Sequence, residues 1–176
     1  MLINASESAL LVIDLQQKLL PAIHEHEAVL AQAVRMATIA GLLGVPVIGT
    51  AQIPDKLGPN HPDVARLCDK ILAKSHFDAC AEGLLPALPT AVRQIVVTGC
   101  EAHICVLQTC LSLLERGYRV LPLLDACSSR KLSDRDAAFE RLRQAGATPV
   151  TVEMVAYEWM RDSRHAQFRE VLKLVK

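Results

Sequence analysis

A chain of 176 residues that is 51% hydrophobic and 22% charged has enough apolar residues for a compact core, which argues against disorder and predicts one domain over residues 1–176. Lys and Arg together number 19, as do Asp and Glu, so net charge gives no reason to expect nucleic acid or an anionic membrane as a partner. Aromatic residues make up only 3%, which leaves few stacking platforms for nucleobases. The partner that we expect is a small-molecule substrate.

Location and thiol chemistry follow from what the sequence lacks. No apolar run approaches the roughly 20 residues of a membrane-spanning helix, and no basic segment followed by an apolar stretch opens the chain, so we expect a cytoplasmic protein. The six cysteines form no CxxC pair, and we expect them to be reduced thiols. Cys100, His103, Cys105 and Cys110 are a candidate zinc cluster, but positions 105 and 110 point in different directions on a helix. We therefore expect no metal and no cofactor.

Apolar runs alternate along the chain with helical segments that end at glycine. Buried strands are predicted at 8–15, 45–50, 70–76, 94–98, 118–124 and 148–152. Helices are predicted at 27–43, 82–88, 155–160 and 164–174, with two more that close at Gly117 and Gly146. Residues 52–62 carry three prolines and a glycine and are predicted to be a loop. This alternation is typical of a doubly wound, Rossmann-like α/β sheet.

Residues 99–106 are predicted to be a sharp turn between a strand and a helix, with Cys105 in the first turn of that helix. Free backbone N–H groups at a helix start stabilise a thiolate, so we expect a lowered pKa for this thiol. The alternative is plain packing, since cysteine is among the most buried residue types.

Asp14 and Lys74 fall at the carboxyl ends of two other predicted strands, the edge where open α/β sheets bind ligands. A thiol that attacks a carbonyl needs a base, a cation to hold the thiolate, and donors for the oxyanion. Asp14, Lys74 and the backbone N–H groups of Glu101 and Cys105 would supply these. Taken singly, Asp14 can instead cap a turn and Lys74 can be a solvated charge.

Several segments closely resemble the isochorismatase-like (cysteine hydrolase) superfamily, and in particular the small isochorismatase domain-containing proteins. The matching segments are residues 10–17 (LLVIDLQQ), 74–77 (KSHF), 97–109 (VTGCEAHICVLQT), 115–120 (ERGYRV) and 125–130 (DACSSR). The resemblance implies a three-layer α/β/α sandwich around a six-stranded parallel sheet. It also implies a catalytic triad of Asp14, Lys74 and Cys105, and a cis peptide between Cys100 and Glu101.

The resemblance narrows the activity that we expect. Isochorismatases proper cleave a vinyl ether without a thiol and generally lack this cysteine. Nicotinamidases carry an Asp-x-His metal motif where this chain has Thr50-Ala51-Gln52-Ile53. We therefore expect a metal-independent hydrolase of a small amide or related C–N bond, with Gln52, Phe77 and His103 as candidate pocket residues. The alternatives are a non-catalytic homo-oligomeric interaction protein and a vinyl-ether hydrolase that uses Asp14 as acid.

Overall fold

The computed structural model describes residues 1–176, and a parallel sheet lies at its centre. Its strands are β1 (Ser8–Ile13), β2 (Val47–Gln52), β3 (Lys70–Lys74), β4 (Gln94–Gly99) and β5 (Arg119–Cys127). Their order across the sheet is β3-β2-β1-β4-β5, and every pairing is parallel. The order reverses between β1 and β4, so a crevice is expected at the carboxyl ends of these two strands.

Helices connect the strands and cover both faces of the sheet. They are α1 (His26–Leu42), α2 (Pro54–Leu57), α3 (Pro62–Ala65), α4 (Leu84–Ala87), α5 (Leu107–Glu115), α6 (Leu132–Gln144), α7 (Val152–Met160) and α8 (Phe168–Val175). One apolar core joins α1, α7 and α8 to one face, and a second joins α4, α5 and α6 to the other. The three-layer α/β/α architecture is therefore confirmed. None of the helices combines the length and apolar character that crossing a bilayer requires.

The expected sixth strand at 148–152 is wrong, because the sheet has five strands and this segment contributes only one bridge, between Leu123 and Val150. Thr148 and Val150 do donate backbone hydrogen bonds to β5, to Val120 O (3.0 Å) and Pro122 O (3.1 Å). Pro122 has no N–H with which to return a bond to Thr148. Helix α7 then begins at residue 152 and ends the pairing.

Other predicted boundaries shift by a few residues. The second strand ends at Gln52 rather than at position 50, and the last helix begins at Phe168 rather than at position 164. The loop predicted at 52–62 contains the one-turn helix α2, and α3 begins at its end. The shift of β2 matters for the site, because it places Gln52 at the carboxyl end of a strand.

Candidate active site

Three chemically different side chains meet at the carboxyl ends of the sheet. Asp14 directly follows β1, Lys74 is the last residue of β3, and Cys105 lies in the turn that follows β4. The side chains of Asp14 and Lys74 have no exposed surface, and Cys105 is 7% exposed. The structure thus brings together the three residues singled out in the sequence.

The carboxylate of Asp14 is held at both oxygens. Its Oδ1 accepts a hydrogen bond from Thr50 Oγ1 at 2.7 Å, and its Oδ2 accepts one from Lys74 Nζ at 2.8 Å. The backbone of Asp14 has a φ of 50°, in the left-handed region that few residues other than glycine adopt. Unusual backbone of this kind is concentrated at functional sites, where surrounding contacts fix it.

The ammonium group of Lys74 has three acceptors. Besides Asp14, Nζ donates to Gln52 Oε1 at 2.6 Å and to the carbonyl oxygen of His76 at 3.3 Å. Gln52 is itself anchored, because its Nε2 donates to Ser75 O at 2.6 Å. A lysine has three N–H donors, so every donor of Lys74 is used and its position is fixed.

Close backbone contact between β1 and β4 shapes the turn that carries the thiol. Gly99 pairs with Ile13 and has a φ of 131°, and a Cβ atom at this position would overlap the carbonyl group of Ile13. Only glycine fits there. The chain then passes through a π-helical turn, Ala102–Val106, which contains Cys105 and leads into α5.

The peptide bond between Cys100 and Glu101 is cis, as the resemblance implies. Cys100 is fully buried, and its backbone N–H donates to Ile13 O at 2.9 Å. The carboxylate of Glu101 is 7% exposed and forms an ion pair with Arg130, whose side chain is 59% exposed. Oε2 of Glu101 accepts hydrogen bonds from Arg130 N at 2.9 Å and Arg130 Nε at 3.0 Å.

A cavity of about 110 Å³ lies over the thiol. Its lining consists of Asp14, Leu19, Gln52, Leu57, Phe77, Glu101, Ile104 and Cys105. Lys74, which donates to Asp14 and Gln52, does not line the cavity itself. The cavity therefore combines a thiol and two carboxylates with a mainly apolar wall.

Burial and the Asp14 carboxylate raise the pKa of the Cys105 thiol to about 12. Lys74 lowers this pKa, but its effect is smaller than that of burial and of the Asp14 charge. The direction is opposite to the one predicted from the sequence. The helix-start argument omitted the desolvation of the thiol, which disfavours the charged form.

The candidate pocket residues separate into two groups. Gln52 and Phe77 line the cavity, and Phe77 is half exposed at its rim. His103 does not line it: Nδ1 lies 2.9 Å from Ser129 Oγ and Nε2 lies 3.9 Å from Asp134 Oδ2.

Sequence reasoning missed two polar residues of the site, Thr50 and Arg130. Thr50 belongs to β2 beside Asp14, and the same rule of strand carboxyl ends that selected Asp14 would have found it. Arg130 lies within a segment that resembles the family, but nothing in its spacing predicts its contact with Glu101.

No three of the His, Cys, Asp and Glu side chains form a group that could hold a metal ion. This applies also to the zinc cluster considered above, residues 100, 103, 105 and 110. All six cysteines are free thiols.

Comparison with known proteins identifies the family of this chain. The model of the isochorismatase domain matches residues 8–154, which include Asp14, Lys74 and Cys105. The chain belongs to the isochorismatase family. Among relatives of this isochorismatase-family chain, human isochorismatase domain-containing protein 2 is 38% identical over 175 residues, which covers 96% of this chain and 83% of the human protein.

Solved structures of similar proteins share the fold. The MAR1 ribonuclease from Caenorhabditis elegans has a TM-score of 0.95 and 36% identity, with 99% of this chain and 92% of that chain covered. The YcaC gene product from Escherichia coli, an octameric hydrolase of unknown specificity, has a TM-score of 0.88 and 23% identity, with coverages of 98% and 95%. The isochorismatase family is one of hydrolases, and we assign this chain to the same general class.

Proposed function

We propose that this protein is a metal-independent cysteine hydrolase that cleaves a small amide or related C–N bond through a thioester. The observation that carries the proposal is the fully buried ion pair between Asp14 and Lys74 beside the Cys105 thiol. Moving each of two charges from water into the protein interior costs roughly several kcal/mol, and their mutual attraction often does no more than offset this cost. Stability alone is therefore a poor explanation for such a pair. A catalytic role explains why the pair lies next to a cavity that is lined by Asp14 and Cys105.

The first half-reaction is acylation of the thiol. Because the pKa of Cys105 is raised to about 12, the resting sulfur carries its proton. Sγ attacks the carbonyl carbon as this proton moves to Asp14, and the carbonyl π electrons move to oxygen. The tetrahedral intermediate collapses, the C–N bond breaks, and the leaving amine takes the proton from Asp14. Lys74 holds the carboxylate in place throughout.

The second half-reaction hydrolyses the thioester. Asp14 takes a proton from water, and the resulting hydroxide equivalent attacks the thioester carbonyl. The C–S bond breaks, the sulfur recovers the proton from Asp14, and a carboxylic acid leaves. Atoms and protons balance over the cycle, since one water is consumed and one amide becomes an acid and an amine.

Backbone N–H groups at the turn are our candidates for stabilising the oxyanion. The N–H of Glu101 donates to no other group of the chain, so it is free to bind a developing negative charge. The N–H of Cys105 is the second candidate. Removing one preorganised donor of this kind typically lowers kcat by about 10²–10³-fold.

The size of the cavity limits the substrate. Water occupies about 30 Å³ per molecule in the liquid, so a cavity of about 110 Å³ has room beside the thiol for a small acyl group. A nucleotide is far larger, and a chain with equal numbers of basic and acidic residues has no net positive charge to attract phosphate groups. These points favour a small amide over the ribonuclease activity that the name of the C. elegans relative states.

We also propose a homo-oligomer, which the octamer formed by the E. coli relative supports. The two alternative functions are a non-catalytic oligomer and a vinyl-ether hydrolase, and neither needs the Cys105 thiol. An amidase activity that is lost without Cys105 therefore distinguishes the proposed function from both.

The test is a screen of short primary amides for ammonia release, with wild-type protein, Cys105→Ala and Cys68→Ala. Cys68 is half-buried and does not line the cavity, so its variant controls for loss of a thiol. We expect turnover by wild type and Cys68→Ala, and a loss of at least about a thousandfold in Cys105→Ala. Turnover retained by Cys105→Ala would remove the thiol mechanism, and isochorismate cleavage by that variant would establish the vinyl-ether alternative.

A further inference from the structure

The carboxylate of Glu101 takes no part in the proposed reaction. Glu101 is 6% exposed and lines the cavity together with Asp14 and Cys105. Only one of its carboxylate oxygens is engaged: Oε2 accepts the two N–H groups of Arg130. A carboxylate has room for several further hydrogen bonds.

The other oxygen, Oε1, accepts no hydrogen bond from any donor of the chain. It is also not sealed inside the protein, since the only buried side-chain polar atom without a partner is Asn60 Oδ1. Oε1 therefore keeps its hydrogen-bonding capacity for a molecule that reaches it. In a residue that lines a cavity, the missing donor is expected to come from a bound molecule.

The other polar side chains of the lining are already committed. Both oxygens of Asp14 have partners within the protein, and so do both polar atoms of the Gln52 side chain. The rest of the lining, apart from the thiol, is Leu19, Leu57, Phe77 and Ile104. Among the side-chain oxygens and nitrogens of the lining residues, Oε1 of Glu101 is therefore the one that has no hydrogen-bond partner within the chain.

We propose that Glu101 is a specificity-determining residue, whose Oε1 accepts an N–H of a small uncharged amide and whose charge excludes anionic substrates. The substrate class rests on the proposed function, whereas the selectivity for charge can be measured without turnover. Arg130 does not cancel this charge inside the cavity, because it contacts only the engaged oxygen and is more than half exposed to water. A carboxylate ligand would bring a third anion beside Glu101 and Asp14.

Alkylation of Cys105 by two nearly isosteric reagents tests this. Iodoacetamide is neutral and carries N–H donors, whereas iodoacetate is an anion. Each forms an S–C bond while iodide leaves and the thiol loses its proton. The rates at Cys105 are measured at one pH and one salt concentration by mass spectrometry of the peptide. Their ratio is divided by the ratio for N-acetylcysteine, which corrects for intrinsic reactivity.

We expect this normalised preference for iodoacetamide to be about tenfold or more in the wild type, because two like charges in a partly desolvated cavity repel strongly. Glu101→Gln removes the charge and keeps the shape, so the preference should fall at least about threefold. Arg130→Gln leaves the Glu101 charge less compensated, so the preference should rise. Glu140→Gln removes a charge from the exposed surface of α6 and should leave it unchanged.

An equal preference in wild type and Glu101→Gln overturns the proposal, as does a wild-type preference no greater than that of the free thiol. Failure of both reagents to label Cys105 also overturns it, because a cavity closed to iodoacetamide is no site for a small amide. If Glu101→Gln does not fold, the Arg130→Gln result decides: a raised preference supports the proposal, and an unchanged or lowered one overturns it. A protein without amidase turnover that shows these ratios would contradict the proposed function alone.

Discussion

Lys74 Nζ lies 2.8 Å from Asp14 Oδ2, and neither side chain has any exposed surface. The two residues are 60 positions apart and belong to the ends of β3 and β1, with β2 between them in the sheet. Residues of β2 complete the contact: Thr50 binds the carboxylate and Gln52 binds the ammonium group. The strand order therefore builds the charged part of the site.

Removing one charge of this pair is predicted to destabilise the protein more than removing both. Asp14→Asn leaves Lys74 unpaired, and Lys74→Met leaves Asp14 unpaired, so each should lower the free energy of unfolding by about 3–5 kcal/mol. The double variant has no unpaired buried charge and should lose less than either single variant. Urea unfolding of the four proteins measures the cycle. Additive losses would contradict the coupling.

The raised pKa of Cys105 predicts a specific pH dependence for its alkylation. With a pKa of about 12, the thiol is mostly protonated at every pH below this value, and its thiolate fraction increases about tenfold per pH unit. The rate of alkylation by iodoacetamide should therefore rise about tenfold per pH unit, without a plateau, between about pH 8 and about pH 11. A plateau near pH 9 would contradict the raised pKa of the Cys105 thiol. Rates are followed by mass spectrometry, with N-acetylcysteine as the reference thiol.

The same experiment on variants separates the contributions of the two charged neighbours. The charge of Asp14 raises the pKa of the thiol and that of Lys74 lowers it. Asp14→Asn should therefore speed alkylation at a given pH, and Lys74→Met should slow it. A change in the same direction for both variants would indicate altered access to the cavity rather than altered charge.

The sequence is sufficient to predict where the candidate site lies, because strand carboxyl ends are visible as apolar runs that stop at a polar residue. Asp14 and Lys74 were found in this way. The direction of the Cys105 pKa shift cannot be predicted from the sequence, because the burial of the thiol depends on non-local packing around it. Local helix-start logic carries no information on such non-local packing.

Two further differences have equally specific causes. The prediction of a sixth strand was wrong because Pro122 lacks the N–H that a neighbouring strand would need. The apolar pattern at 148–152 does not show which residue of β5 would lie opposite. His103 belongs to a π-helical turn rather than to a regular helix, and its ring lies beside Ser129. Its place in the sequence, two residues before Cys105, does not show in which direction the ring points.

Gln52 is predicted to act through Lys74 rather than on the substrate alone. Its Oε1 accepts from Lys74 at 2.6 Å, and hydrogen bonds to a charged group contribute about 1.5–3 kcal/mol. Gln52→Leu should therefore lower kcat about 10–100-fold with a smaller change in KM. Gln52→Glu keeps an acceptor for Lys74 and should recover part of kcat. A variant that raises KM alone would assign Gln52 to substrate binding instead. Steady-state kinetics on an amide found in the screen measures this.

The close approach of β4 to β1 predicts that Gly99→Ala is strongly destabilising. Alanine at this position would have to adopt a φ of 131° and would place its Cβ against the Ile13 carbonyl, so β1 and β4 must separate. Gly146→Ala is the matched control, because Gly146 has a φ of 100° but no atom lies within 4 Å of the place that an added methyl group would take. Gly146→Ala should lower the free energy of unfolding by about 1–2 kcal/mol, because of its backbone conformation alone, and Gly99→Ala should lower it clearly more. Gly99→Ala should also change the rate at which Cys105 is alkylated. Equal losses in urea unfolding would show that the contact between the two strands can relax and does not determine where the thiol lies.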